Sequence, residues 1–334
     1  MNQTNIVDDA FAIWYEEQDK NFPSSIDIHL NEWFVKNGRF TKSEQTYLDV
    51  GIRIYNAKNV NRLSMYFPFK LKKDEIIDLY EQVSNKIIAD EIFNTICSVE
   101  CSTISKFSTI RYNGRIENVI NIDGIISVET INENSLQGSV LCFDIKCIKE
   151  ELTEPEVYLR FRIPHKSVND LFKKMKFNLK YAMSCLLTPE SEFDYIYINR
   201  INDTRLSPVY IKRKINCNNH RINKIITSVS VPNDYSIDYS KCYKIRKLEK
   251  HLLDLYTPLS FNYDNVLSYQ WLTEKNLNSK NTAKKISDHY YFFIKMSQKT
   301  YRLPRVIVYS FIVVIMSGIG SALWPLISRF LGWN

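Results

Sequence analysis

A run of 23 residues without a charged side chain, at positions 306–328, limits what this chain can fold into more than any other feature of its sequence. An α-helix rises about 1.5 Å per residue, so a helix of this length can cross the ~30 Å hydrocarbon layer of a bilayer. A helix buried in a soluble core is usually shorter and keeps a polar face. The sequence therefore predicts a C-terminal transmembrane helix at 306–331.

Basic residues precede this run and determine the predicted orientation. Positions 276–305 contain one acidic residue, Asp288. The basic residues of the same segment are Lys280, Lys284, Lys285, Lys295, Lys299, Arg302 and Arg305. Positive flanks stay on the cytoplasmic side, and the acidic N-terminus lacks the basic region of a signal peptide. We therefore predict a single-pass protein of the cell inner membrane with a cytoplasmic N-terminal region. Its predicted juxtamembrane contacts with membrane lipids are Lys295, Lys299, Arg302 and Arg305.

The sequence is poor in the motifs that enzymes and metal sites require. Before the apolar run the glycines are Gly38, Gly51, Gly114, Gly124 and Gly138, too scattered for a P-loop or a GxGxxG turn. The seven cysteines are an odd number and are expected to be free thiols. The pairs Cys97/Cys101 and Cys217/His220 each offer two ligands, whereas structural zinc takes four. We therefore assign no catalytic residue, no metal and no cofactor.

Alternation of apolar and polar residues predicts much of the chain to be β-structure. Leu48, Val50, Ile52 and Ile54 alternate with polar positions, as in a half-buried strand. Asn113-Gly114 and Asp123-Gly124 each predict a two-residue hairpin turn. Helices are predicted at 7–19, 73–86, 167–186, from Ser240 onward and near 264–275, and a strand at 208–215. The predicted fold class is α+β: an antiparallel β-rich cytoplasmic region with interspersed helices, plus one C-terminal transmembrane helix.

These elements suggest five consecutive segments. They are an N-terminal helix at 1–25, a β-rich domain with a hairpin meander at 26–165, a second β and helical part at 166–275, a basic juxtamembrane connector at 276–305, and the transmembrane helix at 306–331. The second and third segments form either two domains or one, because the boundary between them is weakly marked.

A basic segment after Ser240 is the predicted binding surface. Its cations are Lys241, Lys244, Arg246, Lys247 and Lys250. Such a cluster creates a positive field that attracts an anionic nucleotide, a nucleic acid, an acidic protein or anionic lipid. An ordinary solvated helix face is the alternative interpretation.

Small residues form two ridges within the apolar run. Ser321 follows Ser317 by four positions, and Ala322 follows Gly318 by four positions, so the two members of each pair lie on the same side of a helix. Ridges of this kind allow helix backbones to approach closely in lipid. We therefore predict self-association of the helix through these four residues.

A region without enzyme motifs, followed by one C-terminal span, resembles in layout the membrane effectors of bacterial anti-phage (abortive infection) systems. The resemblance implies a cytoplasmic domain that receives an activating signal or partner, and transmembrane helices that associate to disrupt the inner membrane. It carries no site residues, because no diagnostic motif accompanies it. The alternatives are a tail-anchored adaptor that localises a cytoplasmic partner and a membrane-tethered enzyme of unrecognised type.

Overall fold

The structure is a computed structural model, and it describes most of the chain in separate stretches. The described residues are 10–36, 44–101, 107–133, 136–163, 172–174, 190–203, 207–219, 221–233, 235–238, 242–256, 266–274, 290–301 and 303–330.

The described residues form mainly β-strands. In chain order the strands are β1 (Ala12–Glu17), β2 (Ser25–Lys36), β3 (Glu44–Tyr55), β4 (Val60–Phe67), β5 (Ile77–Asp78), β6 (Ser98–Cys101), β7 (Phe107–Tyr112), β8 (Arg115–Ile120), β9 (Ile126–Glu133), β10 (Leu136–Asp144), β11 (Val157–Ile163), β12 (Phe172–Lys174), β13 (Glu190–Ile201), β14 (Ile222–Pro232), β15 (Tyr235–Asp238), β16 (Lys244–Leu248), β17 (Val266–Glu274) and β18 (Tyr290–Tyr301). The α-helices are α1 (Tyr80–Val83), α2 (Lys86–Phe93), α3 (Val209–Cys217), α4 (Lys250–Tyr256) and α5 (Leu303–Phe330).

The chain divides into two compact units. The first comprises Met1–Phe172, Ile198–Asn233 and Tyr239–Phe293, and the second comprises Lys173–Tyr197, Asp234–Asp238 and Ile294–Asn334. In the second unit β15 pairs antiparallel with β18, within a four-stranded sheet of order β12-β13-β18-β15.

Two sheets build the first unit. The large sheet has the strand order β16-β17-β14-β2-β3-β11-β8-β7-β6, with β5 paired to β11. It is mixed, because β14 runs parallel to β2 and β11 runs parallel to β8. The small sheet has the order β1-β4-β10-β9 and is antiparallel throughout.

Aromatic contacts join the two sheets of the first unit face to face. Phe161 of β11 lies 5.4 Å from Phe143 of β10 and 6.5 Å from Phe67 of β4, measured between ring centroids. All three side chains are fully buried. The side chains next to Phe161 along β11, Arg160 and Arg162, point away from this interface because strand residues alternate between faces. The outer face of the large sheet is therefore polar at β11, and it is nonetheless buried.

The short helix α2 helps to cover that outer face. Asn85 caps its N-terminus, since the side-chain oxygen accepts a hydrogen bond from the Ile87 N–H at 3.0 Å. Asn94 ends it in a left-handed conformation with φ of 53°. The helix buries Ile88 and Ala89, and Ile88 packs in one cluster with Trp33 of β2 and Leu253 of α4.

The local β predictions are partly confirmed. The alternation from Leu48 to Ile54 lies in β3, and Asn113-Gly114 joins the antiparallel pair β7 and β8 with φ values of 47° and 73°. The hairpin predicted at Asp123-Gly124 is wrong. β8 belongs to the large sheet and β9 to the small one, so this turn passes the chain between sheets.

Backbone pairing replaces most of the predicted helices. The residues expected to be helical at 7–19 contain β1, which pairs with β4, and those near 264–275 form β17, which pairs with β14 and β16. The 73–86 helix is instead a 3₁₀ turn at Lys73–Glu75, then β5 and α1. Of 167–186, the described residues Phe172–Lys174 are a strand; the rest of that prediction lies outside the described residues.

The opposite error occurs at 208–215, where the predicted strand is helix α3. Ile211 and Ile215 are one turn apart and both are buried, in a cluster that includes Trp14 of β1. The basic connector predicted at 276–305 also contains regular structure, because β18 occupies Tyr290–Tyr301. Strand and helix patterns both fit these short segments, and the neighbouring elements decide between them.

The predicted fold class is corrected on two points. The β-rich region is mixed rather than antiparallel throughout, and several of the predicted interspersed helices are strands, because pairing partners distant in sequence convert these amphipathic segments into strands. The C-terminal transmembrane helix is not supported either. Within the described part of the chain, no helix is long and apolar enough to cross a membrane.

Candidate functional site

The first unit contains a cavity of about 100 Å³ on the outer face of the large sheet. Strands β2, β11, β14, β16 and β17 contribute side chains to it, and helices α2 and α4 contribute the remaining walls. The apolar lining residues are Leu30, Trp33, Ile88, Ile92, Ile226, Leu248, Leu252 and Leu253, and the polar ones are His29, Asn31, Glu91, Arg160, Ser228, Ser230, Arg246, Ser268 and Gln270. The cavity therefore combines an apolar body with polar groups at several defined points.

The strand register places His29 and Arg160 in one row of the large sheet. Gly51 of β3 lies between them, opposite His29 on one side and opposite Arg160 on the other. A Cβ atom built on Gly51 would lie 2.2 Å from the Tyr158 hydroxyl and 3.1 Å from Arg160 Nη1. The missing side chain at position 51 thus provides the space in which Tyr158 and Arg160 meet His29.

Two hydrogen bonds connect these three side chains. Arg160 Nη1 donates to the Tyr158 hydroxyl at 3.0 Å, and that hydroxyl lies 3.3 Å from His29 Nδ1. The other ring nitrogen, Nε2 of His29, is buried and has no hydrogen-bond partner among the described residues. Burial and the charges of Arg53, Arg160 and Lys224 lower the pKa of His29 well below its usual value. The imidazole is therefore neutral at physiological pH.

A second buried group fixes Trp33 in the cavity wall. Asp49 accepts two hydrogen bonds from Arg162, at 2.6 and 3.0 Å, and one from the Trp33 indole N–H at 2.7 Å. Burial would raise the pKa of Asp49, but the charge and hydrogen bonds of Arg162 outweigh it and lower that pKa. Arg160 lies 4.0 Å from the same carboxylate. The indole is held by a charged acceptor, so its orientation is well defined.

Arg246 of β16 and Glu91 of α2 both line the cavity and form an ion pair with each other. Their side chains are 34% and 40% exposed, whereas the Arg160 side chain is 6% exposed. The cavity therefore extends from a buried end, at His29 and Arg160, to a charged mouth that solvent reaches.

The predicted basic surface is only partly assembled by this site. The segment is not one helix: β16 contains Lys244, Arg246 and Lys247, and α4 begins at Lys250. Strand residues alternate in direction, so these cations do not share one face. Arg246 lines the cavity, while Lys244, Lys247 and Lys250 are exposed. Lys241 lies outside the described residues.

The other predicted contact residues lie in the C-terminal elements. Lys295 and Lys299 belong to β18, where Lys295 is half-buried, and Arg305 belongs to α5. Arg302 lies outside the described residues. The four residues predicted for self-association are exposed on α5, namely Ser317, Gly318, Ser321 and Ala322. Lipid contact, self-association and membrane location stay predictions.

The cysteines show no arrangement for metal binding in the part of the chain that the structure describes. Within that part, no three His, Cys, Asp or Glu side chains lie close enough to hold a metal ion. Cys97 and Cys142 are buried free thiols, and burial together with Asp90 raises the pKa of Cys97 to about 11. His220 lies outside the described residues.

The sequence interpretation missed most of the cavity, although one signal was present. Arg160 and Arg162 interrupt an otherwise apolar strand, which is typical of the solvated face of a half-buried sheet. In the structure both faces of β11 are buried, and buried arginines need fixed partners. His29 and Glu91 gave no local signal, because their partners come from distant parts of the sequence.

Comparisons with known proteins give no family for this chain. No family model matches it, and no curated protein matches it. Among solved structures it is similar to the Fcho1 Mu homology domain of Danio rerio with bound Eps15 peptide, at 9% identity, covering 86% of this chain and 81% of that chain. The TM-score is 0.16, so this likeness carries no argument about fold or function.

Proposed function

We propose that the protein is a non-enzymatic receptor that binds a small molecule in the cavity between the large sheet, α2 and α4. The observation that carries this proposal is one cavity with a buried polar end, at His29 and Arg160, and a charged mouth, at Arg246 and Glu91. Small-molecule sites usually combine apolar walls with a few placed polar groups in this way.

The size of the cavity favours a small ligand. The cavity has a volume of about 100 Å³. One water molecule needs roughly 10–15 Å³ when volume is measured in the same way. The cavity therefore has space for several water-sized groups, comparable to a substituted aromatic ring. A folded macromolecule has no access to the buried end.

The proposal keeps the first step of the function expected from the sequence, the reception of an activating signal. Ligand binding in the cavity would be that step. The second step, disruption of the inner membrane, depended on the predicted transmembrane helix and is not part of the proposal. An adaptor that only localises a partner needs no such cavity.

The test uses three probes: benzyl alcohol, benzoate and phenyl phosphate. The full chain, labelled with ¹⁵N-tryptophan, gives an indole signal for each of its five tryptophans, and Trp33→Phe identifies that of Trp33. We expect at least one probe to shift the Trp33 signal saturably and to raise the melting temperature. If none of the three does so at millimolar concentration, the receptor proposal is wrong.

A filled cavity provides the matched control. Ser228 lines the cavity, and Ser228→Leu should occupy the ligand space and abolish the response. Ser98→Leu adds the same side chain at an exposed position of the edge strand β6 and should leave the response unchanged. An equal response in wild type and Ser228→Leu would place the probe elsewhere and overturn the proposal.

A further inference from the structure

The hydrogen-bonding state of His29 indicates which chemical group the cavity accepts. This inference rests on the proposed receptor function and adds to it the class of ligand. His29 is 8% exposed and lines the cavity, and its Nε2 has no hydrogen-bond partner among the described residues. Buried polar atoms are nearly always satisfied, so this nitrogen requires a group that the described residues do not supply.

The neighbours of His29 determine which of its nitrogens carries the proton. A guanidinium only donates hydrogen bonds, so the Tyr158 hydroxyl accepts from Arg160. We assign the single hydrogen of that hydroxyl to His29 Nδ1, because among the described residues its other hydrogen-bond partner, Arg160, can only donate. A neutral imidazole that accepts at Nδ1 carries its hydrogen on Nε2. The group missing at Nε2 is therefore a hydrogen-bond acceptor.

The charges around His29 favour an acceptor that is negative. The charged side chains that act most strongly on the ring are Arg53, Arg160 and Lys224, and all three are cations. The buried carboxylates of this face have cationic partners: Asp27, two residues from His29 on β2, lies 3.6 Å from Arg53, Asp49 binds Arg162, and Glu117 binds Arg53. Glu91 lies at the mouth and pairs with Arg246. An oxyanion at the buried end thus meets an N–H donor in a positive field.

We propose that His29 Nε2–H and Arg160 bind the anionic group of the ligand, a carboxylate or a phosphate monoester on a small organic body. The apolar walls near Trp33 and Leu253 would enclose the body of that ligand. Charge-assisted hydrogen bonds are about twice as strong as neutral ones, so the anionic group sets the affinity.

The test compares the same three probes by isothermal titration calorimetry on the full chain. Benzoate or phenyl phosphate should bind at least about tenfold more tightly than benzyl alcohol, and whichever of the two is tighter identifies the anion. His29→Met removes the donor and should abolish this preference. His29→Gln keeps an N–H donor the same number of bonds from the backbone and should retain it within a few-fold.

The outcomes separate this inference from the receptor proposal. Equal affinity for benzyl alcohol and both anions overturns the anion inference and leaves the receptor. Binding of none of the probes overturns the receptor itself. A measurement on the wild type avoids any folding defect of the variants: ¹⁵N NMR of His29, assigned with His29→Gln, should show protonated Nε2. A ring protonated at Nδ1 instead would overturn the inference.

Discussion

The hydroxyl of Tyr158 occupies the space that a side chain on Gly51 would need, since a Cβ there would lie 2.2 Å from it. The two residues are on neighbouring strands, and the contact fixes the phenol between Arg160 and His29. The smallest possible substitution at position 51 therefore disturbs the buried end of the cavity.

Gly51→Ala should lower the free energy of unfolding by about 1–3 kcal/mol, because the added methyl overpacks a buried site. It should also displace Tyr158 and weaken binding of any probe that the wild type accepts. Gly318→Ala is the control, since a Cβ there meets nothing within 4 Å, and a helix prefers alanine by up to about 1 kcal/mol. Chemical denaturation of both variants measures their free energies of unfolding. Equal stability of Gly51→Ala and wild type would contradict the expectation.

The free energy of unfolding should decrease as the pH rises from about 4 to about 6.5, because of the buried carboxyl of Asp78. Burial raises the pKa of this carboxyl from 3.8 to about 6, although the backbone N–H groups of Ile122 and Tyr80 donate to it. The folded state then binds more protons than the unfolded state in this range. The contribution of the protonated Asp78 carboxyl to the free energy of unfolding is complete below pH 3.8 and is lost as the pH rises through about 6.

Asp78→Asn should therefore reduce the loss of unfolding free energy over this pH range, by roughly 2–3 kcal/mol at most. The measurement is urea denaturation at half-unit steps from pH 4 to pH 7. Asp74→Asn, at an exposed position of the nearby 3₁₀ turn, should keep the wild-type slope. A steep decline that persists in Asp78→Asn would assign the effect to other carboxyls.

The exposed cations after Ser240 should bind an anionic surface. Lys247→Glu combined with Lys250→Glu reverses two exposed charges and leaves the ion pair of Arg246 with Glu91 intact. Binding to vesicles containing phosphatidylserine should weaken, and its salt dependence should flatten. The matched control is Lys20→Glu with Lys58→Glu, two exposed cations elsewhere. If both double variants bind like the wild type, the segment is an ordinary solvated surface.

Helix α5 should associate with a second copy through its small residues. Phe311, Val314 and Met316 are more than 60% exposed, and large exposed apolar surfaces mark contact sites. Gly318→Ile adds bulk on the predicted ridge and should reduce cross-linked dimers of the full chain in detergent several-fold. Gly320→Ile adds the same bulk two residues away, on another side of the helix, and should not. Equal cross-linking in both variants would exclude this ridge.

The sequence predicted local β-structure better than the assembly of the site. The alternation in β3 and the turn at Asn113-Gly114 are set by neighbouring residues, so a short window contains the signal. Arg246 and Glu91 form an ion pair although they are 155 positions apart in the sequence, so no short sequence window contains both residues. The segments at 208–215 and 264–275 fit either element type, and only their packing partners decide, as Trp14 does for α3.

The register of β2 and β14 determines when during synthesis the cavity can exist. The two strands pair over a separation of about 200 positions, as Ser25 and Asn223 show. Residues that line the cavity continue to Gln270 on β17. At a synthesis rate of ~5–20 residues per second, β2 waits roughly 10–40 s for its second neighbour. A nascent chain shorter than about 270 residues therefore lacks the complete cavity, and during that interval one edge of β2 is available to chaperones or to other chains.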